Sequence, residues 1–280
     1  MEMQHHIRLS PDHLVGNEGI GRYVLLPGDP SRAERIAQQF ERLEVRENPR
    51  GFHAYLGKLP APGGTAAVDV LAIPTGIGSA STEVVVHELL ACGARRLVRV
   101  GSCGTSTPSI RPGQVIIATG AVRDEATTYS YAPEGFPAVA HPTVVAALTE
   151  GAQRAGLAEE TFRGLCHSKA SLYGREFGHG PAGERNLEYV AWLRRCGVIA
   201  SEMEASALFV LATAAEQEVV SVAGSAGSAE CQAGAVLAVF ARDDSHMKFD
   251  AEAARLAEER AIGIALEGVR VWAEKDRDVS

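Results

Sequence analysis

The sequence predicts a single α/β domain over residues 1–280, with a central β-sheet covered by helices on both faces. Its apolar strand-like runs are nearly continuous rather than alternating, which is typical of strands that are buried on both sides. These runs alternate with helical patterns along the chain. No repeat, low-complexity linker or shift in composition divides the 280 residues, and this length is sufficient for one large core.

The composition is ordinary for a globular enzyme, with 46% hydrophobic and 22% charged residues. The net charge of −8 and the lack of Lys or Arg runs argue against a nucleic-acid-binding surface. The most apolar stretch, Ala205–Ala215, is too short to span a bilayer, and Met1–Leu14 lacks a signal-peptide core. We therefore expect a cytoplasmic protein without a nucleic acid or membrane partner. Five widely spaced cysteines without a C-x-x-C pair predict reduced thiols and no metal site.

The first junction between a strand and a helix predicts an anion-binding site. The apolar run Tyr23–Leu26 predicts a buried strand, which ends in a loop of two prolines, Gly28 and an aspartate. A helix is predicted to begin with Ser31 as its N-cap and Glu34 as the second member of a capping box. The free N–H groups and positive dipole end of this helix, together with Arg32, favour an anion at this loop.

Two further glycine-rich junctions follow. The strand Leu97–Val100 contains Arg99 and opens into Gly101-Ser102-Cys103-Gly104, where small residues let backbone amides approach a ligand. Two such loops, each with its own arginine, predict an oxyanion substrate. The segment from Gly76 to Ser81 lacks the third glycine of a dinucleotide fingerprint and instead predicts a tight turn from strand to helix.

The remaining elements follow from the same patterns. Further strands are predicted at Ala67–Ile73, Val115–Val122, Leu165–Ala170, Val198–Ala200, Val219–Val222 and Ala235–Phe240. Helices are predicted at Ser31–Phe40, Ser81–Ala91, Thr143–Ala155, Asn186–Cys196, Met203–Ala215 and Phe249–Lys275. The Ala/Gly/Ser-rich stretch 223–234 has no regular pattern.

Two acids, Glu202 and Glu204, flank Met203 where a strand ends and an almost wholly apolar helix begins. Acids in the first turn of a helix are often simple partners of its dipole. Because unpaired buried charge is costly, two carboxylates that lead into a buried helix need partners. The hydroxyl groups of a sugar are one chemistry that supplies them.

The order of four motifs resembles the nucleoside phosphorylase family with hexameric purine and uridine members, and most of all its uridine phosphorylase branch. The motifs are Pro27-Gly28-Asp29-Pro30-Ser31-Arg32, Arg99–Gly104, Ala132–Ala140 and Glu202–Ser206. The similarity extends from about His6 to the C-terminal helix. It implies a single domain with a central mixed β-sheet. It also implies phosphorolysis of a nucleoside, preferably uridine-like, to the free base and ribose 1-phosphate, with inorganic phosphate as co-substrate and no cofactor.

The resemblance also implies the roles of individual residues. The phosphate-binding residues are Gly28, Arg32, Arg50, Arg99 and Ser102. The ribose-binding residues are His6, Glu202, Met203 and Glu204. The base-binding residues are Cys103, Gly104, Leu172, Tyr173 and Arg175. By itself Arg50 reads as a surface arginine in a turn, but in the family this arginine and the histidine at His6 reach into a neighbouring subunit. The resemblance therefore implies a homo-oligomer built from homodimers, and specifically a hexamer.

The base-recognition segment departs from the family pattern. Uridine phosphorylases carry a Gln-x-Arg pair, whereas here Arg175 stands at the glutamine position and Phe177 at the arginine position. The late catalytic strand has two candidates, Val219–Ser228 and Ala235–Asp243. The second candidate places Asp243 near the acid that protonates the base in purine enzymes, and a solvated loop is an equal alternative for Asp243.

The candidate catalytic residues are Glu204, Arg175 and Asp243. A uracil-like base leaves with negative charge on its carbonyl groups, so fixed donors such as Arg175 suffice. A purine benefits from a general acid, which Asp243 is suited to supply. Three alternatives stay open: a purine nucleoside phosphorylase, a nucleosidase and a non-catalytic nucleoside sensor. The full arginine set disfavours a nucleosidase, because water needs no anion site.

Overall fold

The computed structural model of the chain describes residues 3–61, 66–223, 230–242 and 250–279. The strands in these segments are β1 (Tyr23–Leu26), β2 (Glu41–Arg46), β3 (Ala54–Leu59), β4 (Val68–Ala72), β5 (Arg96–Thr105), β6 (Val115–Asp124), β7 (Ala138–Val139), β8 (Thr161–Lys169), β9 (Val198–Glu202) and β10 (Gln232–Arg242). The α-helices are α1 (Pro30–Ala37), α2 (Ser79–Ala91), α3 (Pro142–Arg154), α4 (Gly183–Arg195), α5 (Ala205–Ala223) and α6 (Ala251–Val279). A short π-helical turn covers Leu172–Glu176.

These strands form one mixed sheet in the order β10-β6-β8-β9-β5-β1-β4-β3-β2, and β7 pairs with β6. Strand β1 runs parallel to β4 and β5, whereas β3 is antiparallel to both β4 and β2, and β2 lies at the edge of the sheet. Because β10 also pairs with β5, five strands (β5, β10, β6, β8 and β9) form a closed ring of pairings. The predicted α/β fold with a mixed sheet is confirmed.

Helices cover both faces of this sheet. On β1, Val24 and Leu26 point into a core with residues of α2 and α5, and Tyr23 and Leu25 point into a second core with α1, α3 and α6. Both sets of β1 side chains are therefore buried, which explains the continuous apolar run in the sequence. None of the helices in the described segments is long and apolar enough to cross a membrane.

Helix α1 begins one residue earlier than predicted. Its N-cap is Asp29, whose carboxylate accepts a 2.8 Å hydrogen bond from the Ser31 N–H group. Pro30 is the first helical residue, a position at which its missing N–H group costs nothing and its fixed φ angle fits. The prediction of Ser31 as N-cap is therefore wrong, although the predicted order of strand, loop and helix is correct.

The predicted strand Val219–Val222 is wrong, because these residues belong to α5. A short β-branched run at the end of an apolar helix has no periodicity of its own that would identify it as a strand. The late strand is therefore β10, which corresponds to the second of the two predicted candidates, Ala235–Asp243. Its last residue is Arg242, and Asp243 lies outside the described residues. Strands β2 and β3 were not predicted, and every residue of β2 is exposed.

Candidate active site

Arg99 lies in the middle of the site, on strand β5. Its guanidinium group is buried and folds back over Gly101, two residues further along the strand. A Cβ atom at Gly101 would stand 2.7 Å from Nη2 of Arg99, closer than such atoms approach in proteins. The glycine at position 101 therefore provides the space that the arginine occupies.

Glu202 is a fully buried cap at the start of α5. One of its oxygens accepts hydrogen bonds from the N–H groups of Glu204 and Ala205, at 2.8 and 2.9 Å, and from Nε of Arg99 at 3.1 Å. The other oxygen accepts from the hydroxyl group of Ser168 on β8. Strand β9 and helix α5 are joined through this carboxylate, and protein donors already occupy both of its oxygens.

Glu204 connects the same arginine to the turn before α2. Its Oε2 lies 2.5 Å from Nη2 of Arg99, and its Oε1 accepts a hydrogen bond from the N–H group of Gly78. Gly78 has a φ angle of +88°, in the region that favours glycine. Burial raises the pKa of Glu204, Arg99 opposes this shift, and the charge of Glu202 adds to it.

Arg32 projects from the first turn of α1 into the same region. Its Nη1 donates to the carbonyl of Val100 at 3.0 Å, and its Nη2 lies 3.4 Å from a carboxylate oxygen of Glu258 on α6. Its guanidinium carbon lies 5.6 Å from the ring centre of Phe240 on β10. Burial lowers the pKa of Arg32, Glu258 opposes this shift, and the nearby charge of Arg99 adds to it.

Two guanidinium nitrogens of this site carry N–H groups for which the described residues offer no acceptor. Nε of Arg32 and Nη1 of Arg99 are buried and have no hydrogen-bond partner among the described residues. Gly28 is close to the second of these nitrogens, since a Cβ atom there would stand 4.0 Å from Nη1 of Arg99. Buried polar groups are almost always paired, so these two N–H groups indicate a missing acceptor. An oxyanion such as phosphate fits this donor set.

The predicted residues His6 and Arg50 lie together elsewhere on the chain. The side chain of Asn48 donates to the carbonyl of His6 at 2.6 Å and accepts from the N–H group of Arg50 at 2.8 Å. The ring of His6 is fixed by Nδ1, which lies 2.6 Å from Glu88 on α2. Arg50 is exposed, and its guanidinium group contacts no acceptor among the described residues.

Arg175 is engaged by other protein groups. Its guanidinium group binds Asp124 through Nε and Nη2, at 2.7 and 2.9 Å, and Asn186 through Nη1 at 2.8 Å. It also lies over the ring of Tyr189, 4.7 Å from the ring centre. Arg175 lines an open cavity of about 730 Å³, and the lining of this cavity does not include Arg32, Arg99 or Glu204.

The other predicted residues lie on elements around these groups. Ser102 is half-buried on β5, opposite Ala238 of β10, and Met203 is half-buried in the turn between β9 and α5. Cys103 is buried, and Gly104 pairs with Ser201 of β9. Leu172 and Tyr173 belong to the π-helical turn, where Tyr173 is 65% exposed.

Several residues of the site were not predicted from the sequence. Gly78 donates a hydrogen bond to Glu204. Phe240 and Glu258 both contact Arg32, the first through its ring and the second through its carboxylate. Gly78 belongs to a turn that the sequence correctly predicts, so a donor at this position is detectable in principle. Glu258 is one of many acids on a long amphipathic helix, and only the tertiary fold brings it to Arg32.

The sequence pattern of the phosphorylase superfamily matches residues 22–268 of the 280-residue chain. The chain belongs to the phosphorylase superfamily. The resemblance inferred from the motifs is thereby confirmed. Because the superfamily consists of enzymes, this membership also identifies the chain as an enzyme.

Relatives of this phosphorylase superfamily member include uridine phosphorylases from several organisms. The one from Treponema pallidum is 41% identical over 194 residues, which are 69% of this chain and 72% of the relative. The one from Thermococcus kodakarensis is 34% identical over 281 residues, which are 99% of this chain and 89% of the relative. A guanosine phosphorylase from Halorubrum lacusprofundi is 29% identical over 201 residues, which are 71% of this chain and 76% of the relative.

Proposed function

We propose that this chain is a nucleoside phosphorylase that cleaves the N-glycosidic bond of uridine or a closely similar pyrimidine nucleoside. Inorganic phosphate is the co-substrate, and the products are the free base and ribose 1-phosphate. The names of the relatives support this substrate class. One structural observation carries the phosphate part of the proposal. Nε of Arg32 and Nη1 of Arg99 are buried without a partner among the described residues, and the Arg99 nitrogen lies close to Gly28.

The reaction needs no nucleophile from the enzyme. Phosphate attacks C1′ of the ribose while the base departs, and positive charge develops on the sugar ring in the transition state. Arg32 and Arg99 bind the phosphate oxygens through charge-assisted hydrogen bonds and fix their direction. Holding phosphate next to C1′ converts a bimolecular step into one within a complex, which lowers the entropic part of the barrier.

Glu204 is proposed to bind the ribose hydroxyl groups. Without substrate its carboxylate pairs with Arg99, the same side chain that is assigned to phosphate. When phosphate binds Arg99, the pairing with Glu204 weakens, and the carboxylate becomes available as an acceptor for ribose O–H groups. Glu202 is then a positioning residue, because its oxygens are already occupied by the start of α5, Arg99 and Ser168.

The charges of the site support the proposal that a second copy of the chain contributes a cation. Among the described residues of one chain, the guanidinium groups of Arg32 and Arg99 contact three carboxylates. A phosphate dianion therefore needs further positive charge, and Arg50 has an exposed guanidinium group that contacts no acceptor in the described part of the chain. We assign Arg50, together with His6, to the site of a second copy in a homodimer, and three such dimers to a hexamer.

A second candidate substrate is a 6-oxopurine nucleoside such as inosine or guanosine. One of the relatives is named guanosine phosphorylase. In addition, β10 ends at Arg242, so that Asp243 directly follows the strand that carries Phe240. The donors of Arg175 are taken by Asp124 and Asn186, which weakens its assignment to a pyrimidine. A preference for inosine over uridine in kcat/KM, lost in Asp243→Asn, would favour this candidate.

The decisive experiment measures release of uracil from uridine with and without phosphate. We expect release only with phosphate, and Arg32→Ala is expected to raise the KM for phosphate roughly ten- to a hundredfold. Arg99→Ala is expected to do the same and to unfold more easily, because Glu202 and Glu204 lose their buried cation. Arg255→Ala on the surface of α6 is the control. Release of uracil without phosphate would contradict the proposal and favour a nucleosidase.

The reducing environment that the cysteine pattern predicts agrees with a cytoplasmic enzyme, and we include this location in the proposal. No disulfide bond joins the five cysteines, all of which lie in the described segments.

A further inference from the structure

Helix α6 reaches the phosphate site through one acid. The carboxylate of Glu258 is largely buried, with 12% of its side chain exposed, and lies between the guanidinium groups of Arg32 and Arg35. One of its oxygens is 3.4 Å from Nη2 of Arg32, and the other contacts Arg35. Glu258 and Arg32 are 226 residues apart in the sequence.

The contacts of Arg32 determine which edge of its guanidinium group faces the ligand. The carbonyl of Val100 accepts from Nη1, Glu258 faces Nη2, and the ring of Phe240 lies against the flat face. Only the Nε edge is left without a partner among the described residues. A guanidinium group has a rigid planar fork, so holding the two Nη atoms also fixes the direction of Nε–H.

We propose that Glu258 is a positioning residue that holds Arg32 in the orientation for phosphate binding, an inference that rests on the proposed phosphorylase function. Glu258 also balances the charge of Arg32, which lies near the like charge of Arg99. Arg35, whose side chain is 45% exposed, holds the carboxylate from its other side. The C-terminal helix thus contributes to phosphate binding without touching the ligand.

A purely structural role for Glu258 is the competing explanation, since it also joins α6 to α1. The two roles differ in which kinetic parameter changes. Loss of a structural tie lowers the melting temperature but leaves the KM values of the folded enzyme unchanged. Loss of a positioning contact raises the KM for phosphate and leaves the KM for uridine nearly unchanged.

The test uses the full-length chain with Glu258→Gln, which keeps the size of the side chain and removes its charge. The matched control is Glu259→Gln, the neighbouring exposed acid, which pairs with Arg255 on the same helix. We measure kcat, the KM values for phosphate and uridine, and the Kd of phosphate by calorimetry without nucleoside. For Glu258→Gln we expect the phosphate KM and Kd to rise about tenfold and the uridine KM to change less than about twofold. Glu259→Gln is expected to match the wild type.

Glu258→Asp provides a second variant in case the glutamine variant does not fold. It keeps the charge but is one methylene shorter, so we expect a rise of about threefold in the phosphate KM. A phosphate-dependent wild type together with an unchanged phosphate Kd in both variants would overturn this inference alone. A wild type that cleaves uridine without phosphate would overturn the proposed function and this inference together.

Discussion

Glu202 and Glu204 are identical side chains two positions apart, and both contact Arg99. One oxygen of Glu202 receives three donors, two of them backbone N–H groups at the start of α5. Glu204 accepts one hydrogen bond from a backbone N–H group and one from Nη2 of Arg99. Burial raises the pKa of Glu204, the single cation of Arg99 opposes this shift only in part, and the charge of Glu202 adds to it.

This raised pKa predicts the pH dependence of stability. The ordinary pKa of a glutamate is 4.5, so with rising pH the unfolded chain loses the Glu204 proton before the folded chain does. The free energy of unfolding is therefore expected to fall as the pH rises from 4.5 to the folded-state pKa, with a limiting slope of about 1.4 kcal/mol per pH unit. Urea denaturation at a series of pH values should show this fall in the wild type and in Glu259→Gln. Glu204→Gln should lack it, and parallel curves for all three proteins would contradict the assignment.

Helix α1 allows a direct test of how its first turn is capped. Asp29→Ala removes the acceptor for the Ser31 N–H group and is expected to destabilise the protein by about 0.5–2 kcal/mol. Ser31→Ala removes only a hydroxyl group that donates to the exposed carboxylate of Asp29, so its effect is expected to be smaller. Denaturant midpoints of the two variants are the measurement. A larger loss in Ser31→Ala would support the capping box that the sequence alone predicted.

Elements whose signal is local were predictable from the sequence. Strand β1, the glycine loop and α1 appear in the predicted order, because apolar runs, proline and capping residues act within a few positions. Strand β2 was missed because all its side chains are exposed and its pairing with β3 is a property of the sheet. The run Val219–Val222 was misassigned because β-branched residues also occur in a helix such as α5.

The site was predictable to the extent that its motifs lie near glycine-rich junctions. Arg32, Arg99 and Glu204 were predicted, and the structure brings them together. Glu258 was not predictable, because its partner is 226 residues away and nothing in its local sequence distinguishes it from other acids of α6. The engagement of Arg175 by Asp124 and Asn186 was missed for the same reason, since three separate elements meet there.

On the scale of the whole molecule, the residues assigned to a neighbouring site form one hydrogen-bonded unit. Asn48 holds the segments of His6 and Arg50 to each other, and Glu88 holds His6 against α2. The hydrogen bonds would therefore keep His6 and Arg50 together when they contact a second copy of the chain. A two-fold interface repeats every contact, so each chain would donate this unit and receive that of its partner.

Mixing inactive chains tests this arrangement. Arg50→Ala is expected to inactivate the site that receives the unit, and Glu204→Ala the site on its own chain. After subunit exchange in an equal mixture, half of the dimers contain one chain of each kind, and one of their two sites has both residues. About a quarter of all sites should therefore regain phosphate-dependent cleavage of uridine. A mixture of Glu204→Ala with Arg32→Ala is the matched control, because every site then carries a defect of its own. If the first mixture stays as inactive as this control although the chains exchange, Arg50 acts within its own chain.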